Sequence, residues 1–292
     1  MQSRYKPQFV LVNTAIIWGI SAIFLEAILD YLTPLHTITM RFGIAILILS
    51  ILLLLFKKQD GFSLLSSKTC ILLGWLDAFG QLTATIGQDM TTAGLATLIS
   101  SSFVFIVPFL AWKVQGSRPQ SKMVLLASFA LTGIFLISFD GNWANFTSSS
   151  ILGILTLFCA ALFFGVYAVV ADKFLRVSNP EFRKSNSIGF LYAILFHTFL
   201  PLFILSMITT RSSFSVSLRI VPILLFLAIF PTLIAFSLYN WAIARIGAVR
   251  TSFYLLLQVI IPFIVEFVLL QQFYSGWVYW GIFVLLISLL MI

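Results

Sequence analysis

The side chains most able to do chemistry in this sequence sit in its least polar stretches. Asp77 falls midway through the apolar segment 68–88, with Gln81 one helical turn further on. A charge at the centre of a bilayer costs about 2.5–3.5 kcal/mol on insertion scales, so such groups line cavities or find partners. Asp77 is therefore a candidate substrate contact or proton carrier; the competing reading is an ion pair or hydrogen bond to a neighbouring helix. Glu26, Arg41 and Glu266 lie toward the ends of other apolar segments. Glu26 and Arg41 would pair within the first helical hairpin, or all three would serve a gate or vestibule. Asn240, Gln258 and the run Ser100-Ser101-Ser102 supply small polar surface, which either meets a substrate or joins helices. Trp18, Phe105, Tyr167, Tyr239 and Tyr254 can form an aromatic cage around an amphipathic or cationic ligand. In a chain that is 16% aromatic, the rival reading for each is packing against core or lipid. Pro108 and Pro262 each remove a backbone hydrogen bond and kink a helix, which makes them candidate gating points.

The same inventory argues against other chemistry. HExxH and GxSxG patterns are absent from the sequence, and no Cys/His cluster occurs, so an intramembrane enzyme is disfavoured. Two separated histidines, His36 and His197, do not make a metal site. No Gly-rich loop with a Lys is present to cradle phosphates, so ATP would not drive the protein directly. No metal or cofactor is expected. Cys70 and Cys159 both fall in apolar segments and read as small hydrophobic filler.

The elements that position these residues follow from composition. Hydrophobic residues make up 61% of the 292, charged residues 9%, and the mean hydropathy is +1.09. One soluble core cannot hide that much apolar surface, so lipid must be the solvent for most of the chain. A β-barrel is excluded because runs such as 42–56 are almost continuously apolar instead of alternating. The expected fold class is all-α integral membrane, with ten transmembrane helices near 9–29, 34–56, 68–88, 92–112, 121–139, 151–171, 186–207, 219–240, 248–270 and 277–292. Fourteen of the 17 Lys and Arg then fall on the side of the N-terminus, leaving Arg41, Arg211 and Arg219 on the other. That asymmetry predicts N- and C-termini in the cytoplasm and a plasma (inner) membrane protein. It also explains the net charge of +8 as a topology signal, so no nucleic-acid partner is expected.

The chain also resembles itself. Residues 13–36 align with 159–182, matching Gly19 with Gly165 and Pro34 with Pro180; residues 93–110 align with 247–264, matching Pro108 with Pro262. Two repeats, 1–145 and 146–292, would hold five spans each. An odd number forces the second to enter the membrane inverted, an architecture typical of secondary transporters.

Trp18-Gly19, Pro34 followed by Arg41, and the Gly/Ala-rich entry with a later proline in the fourth and ninth spans resemble the drug/metabolite transporter superfamily. The resemblance is to its EamA-type ten-helix members. It implies a central cavity lined by spans 1, 3, 4, 6, 8 and 9, with transport by alternating access. The expected function is secondary transport of a small polar or amphipathic organic metabolite, amino-acid-like. A cationic nucleoside cofactor such as S-adenosylmethionine is the alternative, and a lipid-substrate flippase or an intramembrane enzyme the alternative from another class. Partners would be the small-molecule substrate, the lipid bilayer, and a proton or exchange substrate for coupling.

Overall fold

The computed structural model describes residues 6–56, 62–91, 93–116, 118, 121–139, 148–178, 187–209, 218–269, 271 and 273–291. Arg4, Lys57, Lys58, Arg183, Lys184 and Arg211, which contribute to the charge asymmetry, lie outside the described residues. Every regular element within them is helical: α1 Lys6–Leu29, α2 Pro34–Leu55, α3 Lys68–Asp89, α4 Ala93–Ser100, α5 Phe103–Gln115 and α6 Ser121–Phe139. These are followed by α7 Ser148–Asp172 with a π-helical extension Lys173–Ser178, and by α8 Ser187–Thr209. Next comes a continuous rod of 3₁₀ turn Leu218–Ile220, α9 Val221–Leu227, π-helical Ala228–Ala235 and α10 Phe236–Ile246. The described chain ends with α11 Ala248–Tyr254, α12 Leu257–Leu269 and α13 Gly276–Leu290.

Among the described residues, eight helical segments are long and apolar enough to cross a membrane; two shorter apolar helices, Ser121–Ile137 and Gly276–Ser288, stand where the fifth and tenth spans are expected. Local chemistry sets several ends. Thr33 caps α2 through a hydrogen bond from the His36 backbone N–H, and Pro34 occupies the first helical position, where no donor is needed. Gly247 ends α10 at φ 82°, in the left-handed region that glycine tolerates.

The expected fourth and ninth spans are both broken, and in the same way. After Ser100 the backbone tightens, with Ser102 N–H donating to the Ile99 carbonyl (3.0 Å) and Val104 N–H to Ser101 (3.1 Å). After Tyr254 it repeats the pattern, with Leu256 donating to Phe253 (3.0 Å) and Gln258 to Leu255 (3.0 Å). These are 3₁₀-type turns, tighter than the helix on either side. Pro108 and Pro262 sit inside α5 and α12, so each lies after the break and not at it.

The packing pairs also recur. α1 lies against α12 and α7 against α5; α3 lies against α7 and α1 against α10; α2 meets α8, and α6 meets α13. Small residues allow the close approaches. A Cβ added at Gly19 would meet Ile261 Cβ at 2.5 Å and the Gln258 carbonyl at 2.9 Å. Between α6 and α13, a Cβ at Gly133 would sit 2.7 Å from the Gly281 carbonyl, so backbone faces backbone there.

Gly133→Val should therefore cost about 1–3 kcal/mol by overpacking, read as a lower melting temperature in detergent. Gly276→Ala, where an added Cβ meets nothing within 4 Å, should leave the melting temperature unchanged or raised. Equal behaviour of the two variants would contradict the tight α6–α13 contact.

Candidate functional site

Between these helices lies a cavity of about 150 Å³. Its polar lining is Arg41 from α2, Asp77, Gln81 and Gln88 from α3, Ser21 from α1, Thr97 and Ser100 from α4, and Gln258 from α12. Its aromatic lining is Trp18 from α1, Phe103 from α5, Phe164 and Tyr167 from α7, and Phe236 and Tyr239 from α10. The first, third, fourth, sixth, eighth and ninth expected spans all contribute, and the second adds Arg41.

Asp77 is 2% exposed and is held from two sides. Its Oδ1 accepts from Gln81 Nε2 at 3.3 Å, one turn along the same helix, and its Oδ2 accepts from Thr198 Oγ1 of α8 at 3.0 Å. Thr198 also donates to the Gly74 carbonyl at 3.1 Å, where α8 presses directly onto α3. Arg41 is 6% exposed, and its Nε donates to Thr232 Oγ1 at 2.6 Å. No ion pair joins Arg41 to Glu26 among the described residues. Instead Arg41 reaches the π-helical segment, while the Glu26 carboxylate accepts from the Ala93 N–H at the start of α4 (3.2 Å). That contact places a negative charge at the positive end of a helix dipole.

The π-helical segment is itself part of the site. Pro231 inside it lacks an N–H, and the widened turn leaves backbone carbonyls for other partners. Thr232 Oγ1 donates to the Leu227 carbonyl at 2.8 Å, and Trp18 Nε1 donates to the Pro231 carbonyl at 3.0 Å. Trp18 thus anchors α1 to the segment while its ring meets Tyr239 edge-on, with centroids 5.2 Å apart. Tyr167 stacks beside Tyr239 at 6.3 Å and donates from its hydroxyl to Asn240 Oδ1 at 2.8 Å.

The remaining expected residues separate by position. Trp18, Asp77, Gln81, Tyr167, Tyr239 and Gln258 line the cavity; Ser101, Phe105, Asn240 and Tyr254 stand behind it. Ser101 is buried, accepting from Gln258 Nε2 at 2.9 Å, which ties the break in the fourth span to the break in the ninth. Asn240 orients Tyr167. Phe105 packs against Phe109 and the cluster around Leu98 and Val104, and Tyr254 packs on the main core. The Glu266 side chain lies outside the described residues. Thr198 and Thr232 are not distinguishable by sequence, since a lone Thr in an apolar helix carries no spacing signal.

At the basic end of the bundle, away from Glu26, Asp172 is 1% exposed. It accepts from Gln115 Nε2 of α5 at 2.9 Å and from Arg176 Nε at 2.8 Å. The Arg176 guanidinium lies directly over Gly247, so a Cβ there would meet its Cζ at 3.1 Å. His197, by contrast, is not in the cavity lining; its Nε2 meets the Leu65 carbonyl at 2.8 Å and joins α8 to the turn before α3.

This arrangement, a cavity lined by polar and aromatic side chains inside an apolar helical bundle, coincides with a match to the EamA-like transporter family over residues 6–139 and 151–292. The chain belongs to that family. It is similar to an uncharacterized transporter of Archaeoglobus fulgidus, 26% identical over 99% of this chain and 86% of the relative. The uncharacterized transporter YyaM of Bacillus subtilis is 23% identical over 88% of this chain and 84% of its own. A solved crystal structure 16% identical in sequence superposes with a TM-score of 0.71, covering 99% of this chain and 96% of the other, which shows the shared fold. The protein is a membrane transporter of this family.

Thr232→Val removes the partner of a buried guanidinium without changing side-chain volume. It should cost about 1–3 kcal/mol, measured as a fall in melting temperature, while Thr232→Ser keeps most of the stability. Equal losses in both variants would assign the effect to packing.

Proposed function

We propose that this EamA-family transporter is a secondary transporter of a small polar or amphipathic organic metabolite, amino-acid-like, working by alternating access. The observation that carries the reading is the cavity itself. Opposite charges, amides and aromatic rings are gathered at one place in a bundle whose outer surface is apolar. Lipid gives no reason to collect them there; a polar solute does.

In this reading the chain has ten spans in two inverted five-helix repeats, 1–145 and 146–292, lying in the plasma (inner) membrane with both termini cytoplasmic. The matched 3₁₀ breaks and the recurring helix pairs support it. A two-fold relation between the halves exchanges the α1–α12 contact with α7–α5, and α3–α7 with α1–α10. The two halves rock about the cavity, with the breaks and the paired Pro108 and Pro262 as flexing points. Glu26 with the start of α4 closes one end. Gln115, Asp172 and Arg176 close the other, cytoplasmic end. Asp77 either contacts the substrate or carries the coupling proton, and exchange is the alternative drive. Transport of a cationic nucleoside cofactor such as S-adenosylmethionine fits the same acid- and aromatic-lined cavity.

A lipid substrate is favoured by one separate observation. An apolar groove lined by Thr39, Gly43, Phe199, Phe203 and Leu224 opens between α2, α8 and α9. Gly43→Leu, which would crowd Phe199, separates the readings: it should stop a lipid flippase and spare solute transport.

The test is uptake and counterflow of labelled metabolites in proteoliposomes. The wild-type protein should move at least one polar solute, and Asp77→Asn should slow it at least about tenfold, the loss of one charge-assisted contact. Absence of flux for every solute contradicts the transporter mechanism. Undiminished, pH-independent flux in Asp77→Asn contradicts the role given to that carboxylate.

A further inference from the structure

Resting on the solute-transport reading above, the geometry points to a zwitterionic substrate whose ammonium is taken by Asp77 and whose carboxylate is taken by Arg41. The two residues face one cavity from different helices, carry opposite charges, and are both almost fully buried. Opposite charges brought that deep would ordinarily neutralise each other directly, because each ion alone loses several kcal/mol of hydration. Here they do not. Among the described residues, no nitrogen–oxygen distance of 4.0 Å or less joins them.

Each is instead fixed by neutral partners that leave part of its capacity open. Asp77 accepts one bond on each oxygen, from Gln81 and Thr198, whereas a carboxylate offers about four acceptor sites. Arg41 is anchored through Nε on Thr232 and lies over the Phe42 ring at 5.4 Å. Its two terminal nitrogens, the pair that grips a carboxylate in bidentate fashion, make no hydrogen bond among the described residues. Thr232 comes from the π-helical segment and Thr198 from α8. Both anchors therefore lie on helices other than those that carry Asp77 and Arg41.

A ligand carrying one positive and one negative group neutralises both sites at once. A cation alone leaves Arg41 uncompensated, and an anion alone leaves Asp77 so. The Trp18 and Tyr239 rings beside the gap suit an ammonium and the apolar body behind it. The α-amino acid group is the simplest structure with this pattern, and it is common to free amino acids and to S-adenosylmethionine.

The experiment compares binding to the purified full-length protein of four charge forms of L-leucine and L-phenylalanine. These are the free zwitterion, the carboxamide (cation), the N-acetyl acid (anion) and the N-acetyl amide (neutral), read by Trp fluorescence and by melting-temperature shift. For at least one of the two side chains, the zwitterion should bind at least about tenfold tighter than either singly charged form. Arg41→Gln should erase its advantage over the carboxamide and keep its advantage over the N-acetyl acid; Asp77→Asn should do the reverse. Arg41→Lys, which keeps charge without the fork, should fall between. A cation or anion that matches the zwitterion on the wild-type protein overturns the proposal, as does a panel in which no form exceeds the neutral one. The wild-type ranking decides even if the variants fail to fold. Counterflow run in parallel separates the two readings. Zwitterion binding without flux upholds the site and contradicts transport, whereas flux of other solutes without the ranking upholds transport and contradicts the site.

Discussion

In a membrane interior, a polar group that finds no partner inside the protein finds none at all, and this constraint organises the structure. It bears hardest where the helices depart from regularity, because each departure releases backbone groups. At the π-helical segment Ala228–Ala235 the freed carbonyls are met by Trp18 from α1 and by the segment's own Thr232. Where the fourth and ninth spans break, 3₁₀ bonds take over, and Ser101 and Gln258 join the two breaks to each other. The irregular places are thereby drawn together at the bundle centre. The cavity lies beside them, and Arg41, from the continuous helix α2, reaches Thr232 of the π-helical segment.

Much of the fold was legible in the sequence because hydropathy over a 20-residue window is a strong signal and basic residues mark one side. Cavity membership was legible for Asp77, Gln81 and Gln258, since a polar group in an apolar run must face something. It was less so for the aromatics. Trp18, Tyr167 and Tyr239 face the cavity, while Phe105 and Tyr254 on comparable helices pack elsewhere, and a helix that is apolar all round gives no moment to tell its faces apart. The expectation of a Glu26–Arg41 pair failed for a related reason. Proximity along a hairpin suggests the partner, but a π-helical turn roughly 190 residues away in sequence offered Arg41 a buried hydroxyl. The 3₁₀ turns at Ser101-Ser102 and Leu255-Leu256 had no signal in the sequence, because they lie upstream of Pro108 and Pro262 and rest on backbone bonds alone.

The contacts at the two ends of the bundle differ. At one end the Glu26 carboxylate accepts from the Ala93 N–H at the start of α4. At the basic end Asp172 gathers Gln115 and Arg176, and Arg176 covers Gly247 at the junction of α10 and α11. Gly247 sits at positive φ where α10 meets α11, and the Arg176 guanidinium lies over it.

The most direct measurement of alternating access is a pair of spin-label distances on α3 and the rod 218–246, in a background with Cys70 and Cys159 replaced. One pair, Asp89 with Leu218, reports the Glu26 end; the other, Lys68 with Arg245, reports the Asp172 end. Two halves rocking about a central site predict reciprocal change, so that Asp172→Asn or added substrate shifts one distribution longer as the other shifts shorter. Distributions that stay fixed, or that widen together at both ends, would contradict it.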